Sequence, residues 1–212
     1  MELREVIRRR RMVRDYDPDR PVPAEVVHRL LDHATRAPSA GFAQGWAFLA
    51  LTERDDRAAF WTAATPTDRP TGRSRWRQGL RRAPLIVVPF SSESAYLDRY
   101  AEPDKGWTDR DPARWSAPYW HVDAGFAALL MLLTAVDEGL GACFFGVPPG
   151  RVGQLRAAFG VPAEFAPVGA LTVGFPAESA SGPSGSVASG SAARRRRRPV
   201  DDVVHHGRWR GK

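Results

Sequence analysis

The thirteen residues from Ala124 to Val136 carry no charge, and they constrain the fold more than any other stretch of the chain. Asp123 and Asp137 bound the run. A bilayer span needs about 20 apolar residues, so the run reads as a buried helix over Val122 to Glu138. Phe126, Leu129, Leu130, Met131, Leu132, Leu133 and Val136 leave this helix without a polar face. A helix of that kind needs cover all round. In a chain of 212 residues, a second subunit is an expected source of part of it.

That length fits a single domain, residues 1–212. The lone cysteine, Cys143, precludes an internal disulfide and reads as a core residue. With an N-terminus charged from residue 2 and no signal-peptide pattern, the expectation is a cytoplasmic protein with no membrane segment.

Apolar periodicity predicts helices over Glu2–Arg11 (Leu3, Val6 and Ile7 inward), Ala24–Arg36, Asp55–Ala64 and Arg151–Phe159. Strands are predicted at Trp46–Thr52, Leu85–Phe90, Ala142–Phe145 and Pro167–Phe175. The helices fall unevenly between strands, which favours a layered α+β domain over regular βαβ winding. Residues 92–120 hold Tyr96, Tyr100, Trp107, Trp115, Tyr119 and Trp120 among charges and prolines, without a period. Such an insertion either forms a lid over a ligand or pins an irregular loop to the core. A Ser/Gly/Ala strap follows at 178–193, then a tail at 194–212.

The formal charge of +7 is local. Arg8–Arg11 and Arg194–Arg198 contribute nine positive charges, leaving −2 for everything else. Two arginine clusters at the two ends of one domain suggest a shared anion site, most simply a phosphate, because the guanidinium fork presents paired donors. The competing explanation, an arginine-rich nucleic-acid-binding module, suffers from that negative remainder and from the lack of a recognition fold. Other signatures fail. Gly139-Leu140-Gly141 runs from helix to strand, the wrong order for a dinucleotide fingerprint. There is no Walker loop, Ser39 lacks a nucleophile elbow, and the five histidines show no metal spacing.

Several segments together are more specific. Arg10-Arg11-Met12-Val13-Arg14-Asp15-Tyr16, Pro21-Val22-Pro23 and Ala37-Pro38-Ser39-Ala40-Gly41-Phe42-Ala43-Gln44-Gly45-Trp46 resemble the opening of the nitroreductase family of FMN-dependent oxidoreductases. That family shows an R-R-S-V-R-x-F turn, a P-V-P step and an A-P-S-x-x-N-x-Q-P-W loop. In the second half, Asp123 before an apolar helix, Glu138-Gly139-Leu140-Gly141, Phe144-Phe145-Gly146 and Arg195-Arg196-Arg197-Arg198-Pro199-Val200 are similar too. Three positions depart from the pattern: Met12 replaces a common serine, Gly41-Phe42 a more polar stretch, and Gly45 a proline.

The resemblance implies a three-layer α/β/α domain with a mixed, mostly antiparallel sheet, entwined as a homodimer that holds two FMN molecules between its subunits. By motif position, Arg10 would reach the phosphate together with Arg195 or Arg197, with Arg11 and Met12 in the same turn. Arg14 would lie at the pyrimidine edge of the ring. Pro38, Ser39, Ala40 and Gly41 from the partner would line the ring and ribityl chain, with Gln44 nearby. Phe145 and Gly146 would lie against the other face, offering a backbone N–H toward N5. NAD(P)H is the implied donor and a nitroaromatic or quinone the implied acceptor, with Tyr96, Tyr100, Trp107, Trp115 and Trp120 candidates for shaping the acceptor pocket. Branches of the same fold dismantle flavin to benzimidazole or remove halogen from tyrosines, and they remain alternatives.

Overall fold

A computed structural model describes residues 1–66, 75–178 and 197–209. Its sheet is built from β1 (Trp46–Leu51), β2 (Leu85–Ser92), β3 (Gly141–Phe145), β4 (Phe165–Pro167) and β5 (Ala170–Gly174). The strands run in the order β1-β2-β5-β3, with β4 also on β2, and every pair is antiparallel. A parallel bridge from Met12 to Ala142 adds the N-terminal segment to the free side of β3. β2 changes partner along its length: Leu85–Val87 pair with β5 and Phe90–Ser92 with β4. Pro89 sits at this changeover, where its missing N–H breaks no ladder bond to either strand.

Side-chain alternation sends the two faces of the sheet into two cores. Ile86, Val88, Phe90 and Cys143 pack with Phe60 and Trp61 of α3 (Arg54–Ala64), Leu80 of α4 (Arg75–Arg81) and Leu155 of α7 (Val152–Phe159). Leu85, Val87, Leu171 and Val173 pack with Leu30 and Ala34 of α2 (Ala24–Thr35) and Met131 and Ala135 of α6 (Tyr119–Asp137). The result is helix, sheet, helix, as expected. Burying both faces of a sheet explains the continuous apolar run in β2.

The sequence reading needs correction in four places. The first helix, α1, spans only Leu3–Arg9, and of its apolar residues only Val6 is buried; Leu3 and Ile7 are exposed. The expected strand at Pro167–Phe175 is two, β4 and β5, paired to different partners. The insertion is partly regular: α5 (Glu93–Ala101) opens it, with Ser92 Oγ accepting the Ala95 N–H as an N-cap, and Tyr119 and Trp120 already belong to α6. Helix α4 was not expected. Its Gly79 lies against the Arg14 carbonyl, where any Cβ would collide.

Helix α6 is long and apolar enough to cross a bilayer by length and composition, yet it packs against α2, β2 and β3. Its cover is incomplete. Val122, Phe126 (43% exposed) and Leu129 (45%) form an exposed stripe at helical spacing. Cys143 lies in the core, and burial pushes its thiol pKa up.

Candidate functional site

The segment Arg10–Arg14 runs beside β3. Val13 N–H donates to Ala142 O at 2.9 Å, and Phe144 N–H donates to Met12 Sδ at 3.4 Å, so the residue that replaces a common serine acts as an acceptor. Tyr16 anchors the segment below, its buried hydroxyl donating to Val13 O at 2.6 Å.

The arginine block divides by partner. Arg8 and Arg9 both clamp Glu5, and their hydrogen bonds hold its carboxyl down to about 2. Arg11 lines a cavity of about 430 Å³ with Arg9, Gly139 and Gly141. Arg10 differs: its Nη1 is buried and has no hydrogen-bond partner among the described residues. A buried charged donor left unpaired is costly, so this atom calls for an acceptor beyond the described residues. Arg14 donates weakly to Met12 O at 3.4 Å, and its charge acts to lower the Cys143 thiol pKa against burial.

At the end of β3, Phe145 stacks on Trp61 with centroids 5.6 Å apart and planes within 7°. Gly146 follows, exposed beside a cavity of about 130 Å³.

Pro38–Gln44 lies elsewhere. Ser39 O accepts the Phe42 N–H and Ser39 Oγ accepts the Gln44 N–H, folding the loop into a short 3-10 turn at Ala40–Phe42. Gly41, Phe42 and Gln44 all have left-handed φ, at 59°, 58° and 49°. Gly41 meets this requirement without strain and also lets the Tyr100 ring approach, since a Cβ would lie 2.7 Å from Tyr100 Cε2. Phe42 adopts the same conformation with a bulky side chain that is 75% exposed. Buried Asp123 holds the loop: its Oδ2 accepts the Ala40 N–H and the Tyr96 hydroxyl, each at 2.8 Å. Arg99 Nε donates to Gly41 O at 2.8 Å.

This loop leads into β1, whereas Arg10–Arg14 and Phe145–Gly146 flank β3. β1 and β3 are the two ends of the strand order. Three steps of about 4.8 Å separate them, roughly 14 Å of sheet. One chain therefore strings Arg10, Met12, Arg14, Phe145 and Gly146 along the β3 edge, and keeps Pro38, Ser39, Ala40, Gly41 and Gln44 at the opposite edge.

The five aromatics proposed to shape the acceptor pocket pack on one another. Trp115 is the hub, 4.4 Å from Tyr100, 5.5 Å from Trp107, 6.0 Å from Tyr96 and 6.3 Å from Trp120 by ring centroid. Tyr96 and Trp120 are buried, so these two tie the insertion to the core, while Tyr100, Trp107 and Trp115 stay partly exposed. Arg197 is exposed on the tail, while Arg195 and nearly all of the strap 178–193 fall outside the described residues.

Sequence reasoning missed Asp123 as a loop anchor and Trp61 as the stacking partner of Phe145. A carboxylate at the head of an otherwise uncharged helix was the available signal for the first. Trp61 gave none beyond its place in an amphipathic helix.

The sequence description of the nitroreductase family matches residues 7–175. A protein of Methanothermobacter thermautotrophicus, provisionally assigned as an NADH dehydrogenase/NAD(P)H nitroreductase, is 28% identical over 180 residues, covering 84% of this chain and 79% of its own. The 5,6-dimethylbenzimidazole synthase of Rhodospirillum rubrum is 31% identical over 185 residues, covering 80% and 79%. A crystal structure from Exiguobacterium sibiricum, a provisionally assigned nitroreductase in complex with FMN, superposes with a TM-score of 0.72 at 20% identity over 99% of this chain and 98% of its own. At that identity the likeness shows the fold.

Proposed function

Since this chain belongs to the nitroreductase family of oxidoreductases, we propose that it binds FMN at a site shared by two copies of itself, draws hydride from NAD(P)H and reduces an electron-poor acceptor. The observation that carries the reading is Arg10 Nη1, a buried cationic donor without a partner among the described residues. A phosphate oxygen satisfies that donor with a charge-assisted hydrogen bond. Crystallised relatives of the same fold that hold FMN support the choice of ligand.

The other residues fit. Arg14 lies farther along the same segment, toward the end of β3, and supplies a fixed cation where the electron-rich edge of a reduced ring would develop negative charge. Ser39 Oγ accepts the Gln44 N–H and so keeps its own proton free to donate. Phe145, braced by Trp61, offers an apolar face beside the Gly146 amide. Bound there, FMN would supply two-electron redox chemistry between a nicotinamide and the acceptor. No side chain of this chain needs to act as a general acid or base. Tyr100, Trp107 and Trp115 are the insertion aromatics left to border an acceptor.

Two copies are needed because the loop 38–44 and the Arg10–Arg14 segment occupy opposite edges of one sheet. The exposed stripe of α6, with Leu3 and Ile7 of α1, offers the apolar surface for pairing. The test is direct. Purified protein should be yellow and release FMN on denaturation, and NADPH or NADH should bleach it within seconds under anaerobic conditions. Colourless protein that takes up no added FMN refutes the reading. A second reading draws on the similarity to the 5,6-dimethylbenzimidazole synthase of Rhodospirillum rubrum and on the resemblance to the flavin-dismantling branch of the fold. Slow anaerobic reduction followed by oxygen-dependent loss of the flavin itself would favour it.

A further inference from the structure

On the face of the sheet covered by α3 and α4, a cavity of about 490 Å³ is lined by Arg54 and Arg57 of α3, Arg81 at the end of α4, and Arg82 just beyond it. Trp61 and Asp19 complete the part that matters. None of these is among the residues assigned above to the flavin. We propose that this cavity is a second anion site, taking a phosphorylated small molecule that carries a phosphate dianion or diphosphate.

Guanidinium groups repel one another, and gathering four at one concavity is unfavourable unless something negative joins them. Carboxylates of the chain do this only in part. Asp15 pairs with Arg82 at 3.2 Å, Glu53 lies beside Arg57, and Asp19 is the one carboxylate among the described residues of the lining. Arg57 donates to Thr52 O, and burial together with the charge of Arg54 pushes its pKa down. Arg54 and Arg81 form no ion pair among the described residues. Arg81 lies 5.5 Å over the Trp61 ring and donates to Thr65 Oγ1 at 3.4 Å, which aims its fork across an apolar wall.

The volume falls in the range of small-molecule sites, about 300–1,000 Å³, and exceeds what a single ion needs. Planar forks carried by α3 and the end of α4 suit phosphate oxygens, which accept bidentate pairs. The chemistry is shared by two sources: the phosphorylated adenosine end of a nicotinamide dinucleotide, and a free phosphorylated metabolite. Trp61 connects the cavity to the proposed flavin side, since it stacks on Phe145 and also lines the cavity at Gly146.

Calorimetric titration of the purified full-length chain with pyrophosphate and with adenosine 2′,5′-bisphosphate tests the site without reference to turnover. The wild type should bind at least one of them, more weakly as salt rises. Arg54→Gln/Arg81→Gln should lose at least tenfold in affinity, while the charge-matched Arg4→Gln/Arg8→Gln keeps it within about twofold. Because Arg54 is exposed, Arg54→Glu alone gives the same direction from a variant expected to fold. Tighter binding of the bisphosphate identifies the dinucleotide end, and tighter binding of pyrophosphate a free metabolite. No binding by the wild type, or equal loss in both double variants, overturns the proposal. Flavin content should be unchanged in Arg54→Glu, so loss of this site and loss of the FMN reading separate.

Discussion

Asp123 Oδ2 lies 2.8 Å from the amide nitrogen of Ala40, a contact between residues 83 apart in sequence. A buried carboxylate at the head of α6 thus fixes a loop at the far edge of the sheet, and its second partner is the buried Tyr96 hydroxyl. Asp123→Ala strands both donors. An unsatisfied buried donor costs about 1–3 kcal/mol, and each kcal/mol lowers Tm by about 2–4 °C in a domain of this size. Because the Ala40 amide is only part-buried, about 2 kcal/mol is taken for the pair, and a drop of roughly 4–8 °C is expected, with partial recovery in Asp123→Ala/Tyr96→Phe because the buried hydroxyl is gone. Thermal melts of the four proteins in this cycle check it; equal Tm values would show that the contact holds nothing.

The arginine block should be unequal in function. Arg8 is occupied by Glu5, whereas Arg10 has a buried donor to spare. Arg10→Gln should weaken FMN binding by about 10–100-fold, the worth of a hydrogen bond to a charged group at about 1.5–3 kcal/mol. Arg8→Gln should change it by less than about twofold. Fluorescence quenching during FMN titration reads both.

Acid should act on α1 through Glu5. Its carboxyl is held down to about 2 by hydrogen bonds from Arg8 and Arg9, against an ordinary value of 4.5. A depressed folded pKa contributes stability above 4.5 that is lost as pH falls toward about 2. An NMR titration of the Glu5 side chain should find its midpoint near 2. A midpoint near 4.5 would show that the clamp does not persist in solution.

Cys143 serves as a reporter of the core. Burial raises its thiol pKa and removes access, so a maleimide should not label the native protein at neutral pH. Labelling should track global unfolding in denaturant. Rapid labelling of the folded chain would mean that β3 opens locally.

Much of the layering was readable because it follows from periodicity: the uncharged helix, the doubly buried β2 and the amphipathic α2 need no long-range information. What escaped depends on tertiary contact. Gly79 and three arginines hide α4 from any propensity argument, yet the glycine is what lets the helix reach the Arg14 carbonyl. Leu3 and Ile7 read as inward by spacing, and they are outward because only the Val6 side of α1 meets the domain. Motif order pointed to Arg10, Ser39 and Gly146 as one site. The family resemblance, not the spacing, assigned Ser39 to the partner; the residues alone do not carry that separation, since strand order in the sheet is not written in the spacing of motifs.

That separation makes oligomeric state the decisive measurement. Light scattering combined with flavin quantitation should give twice the 23.4 kDa chain mass with two FMN per dimer. Phe126→Asp, which places a charge in the exposed stripe of α6, should give a folded monomer without flavin. A wild-type monomer holding one FMN at full affinity would contradict a site shared between two chains.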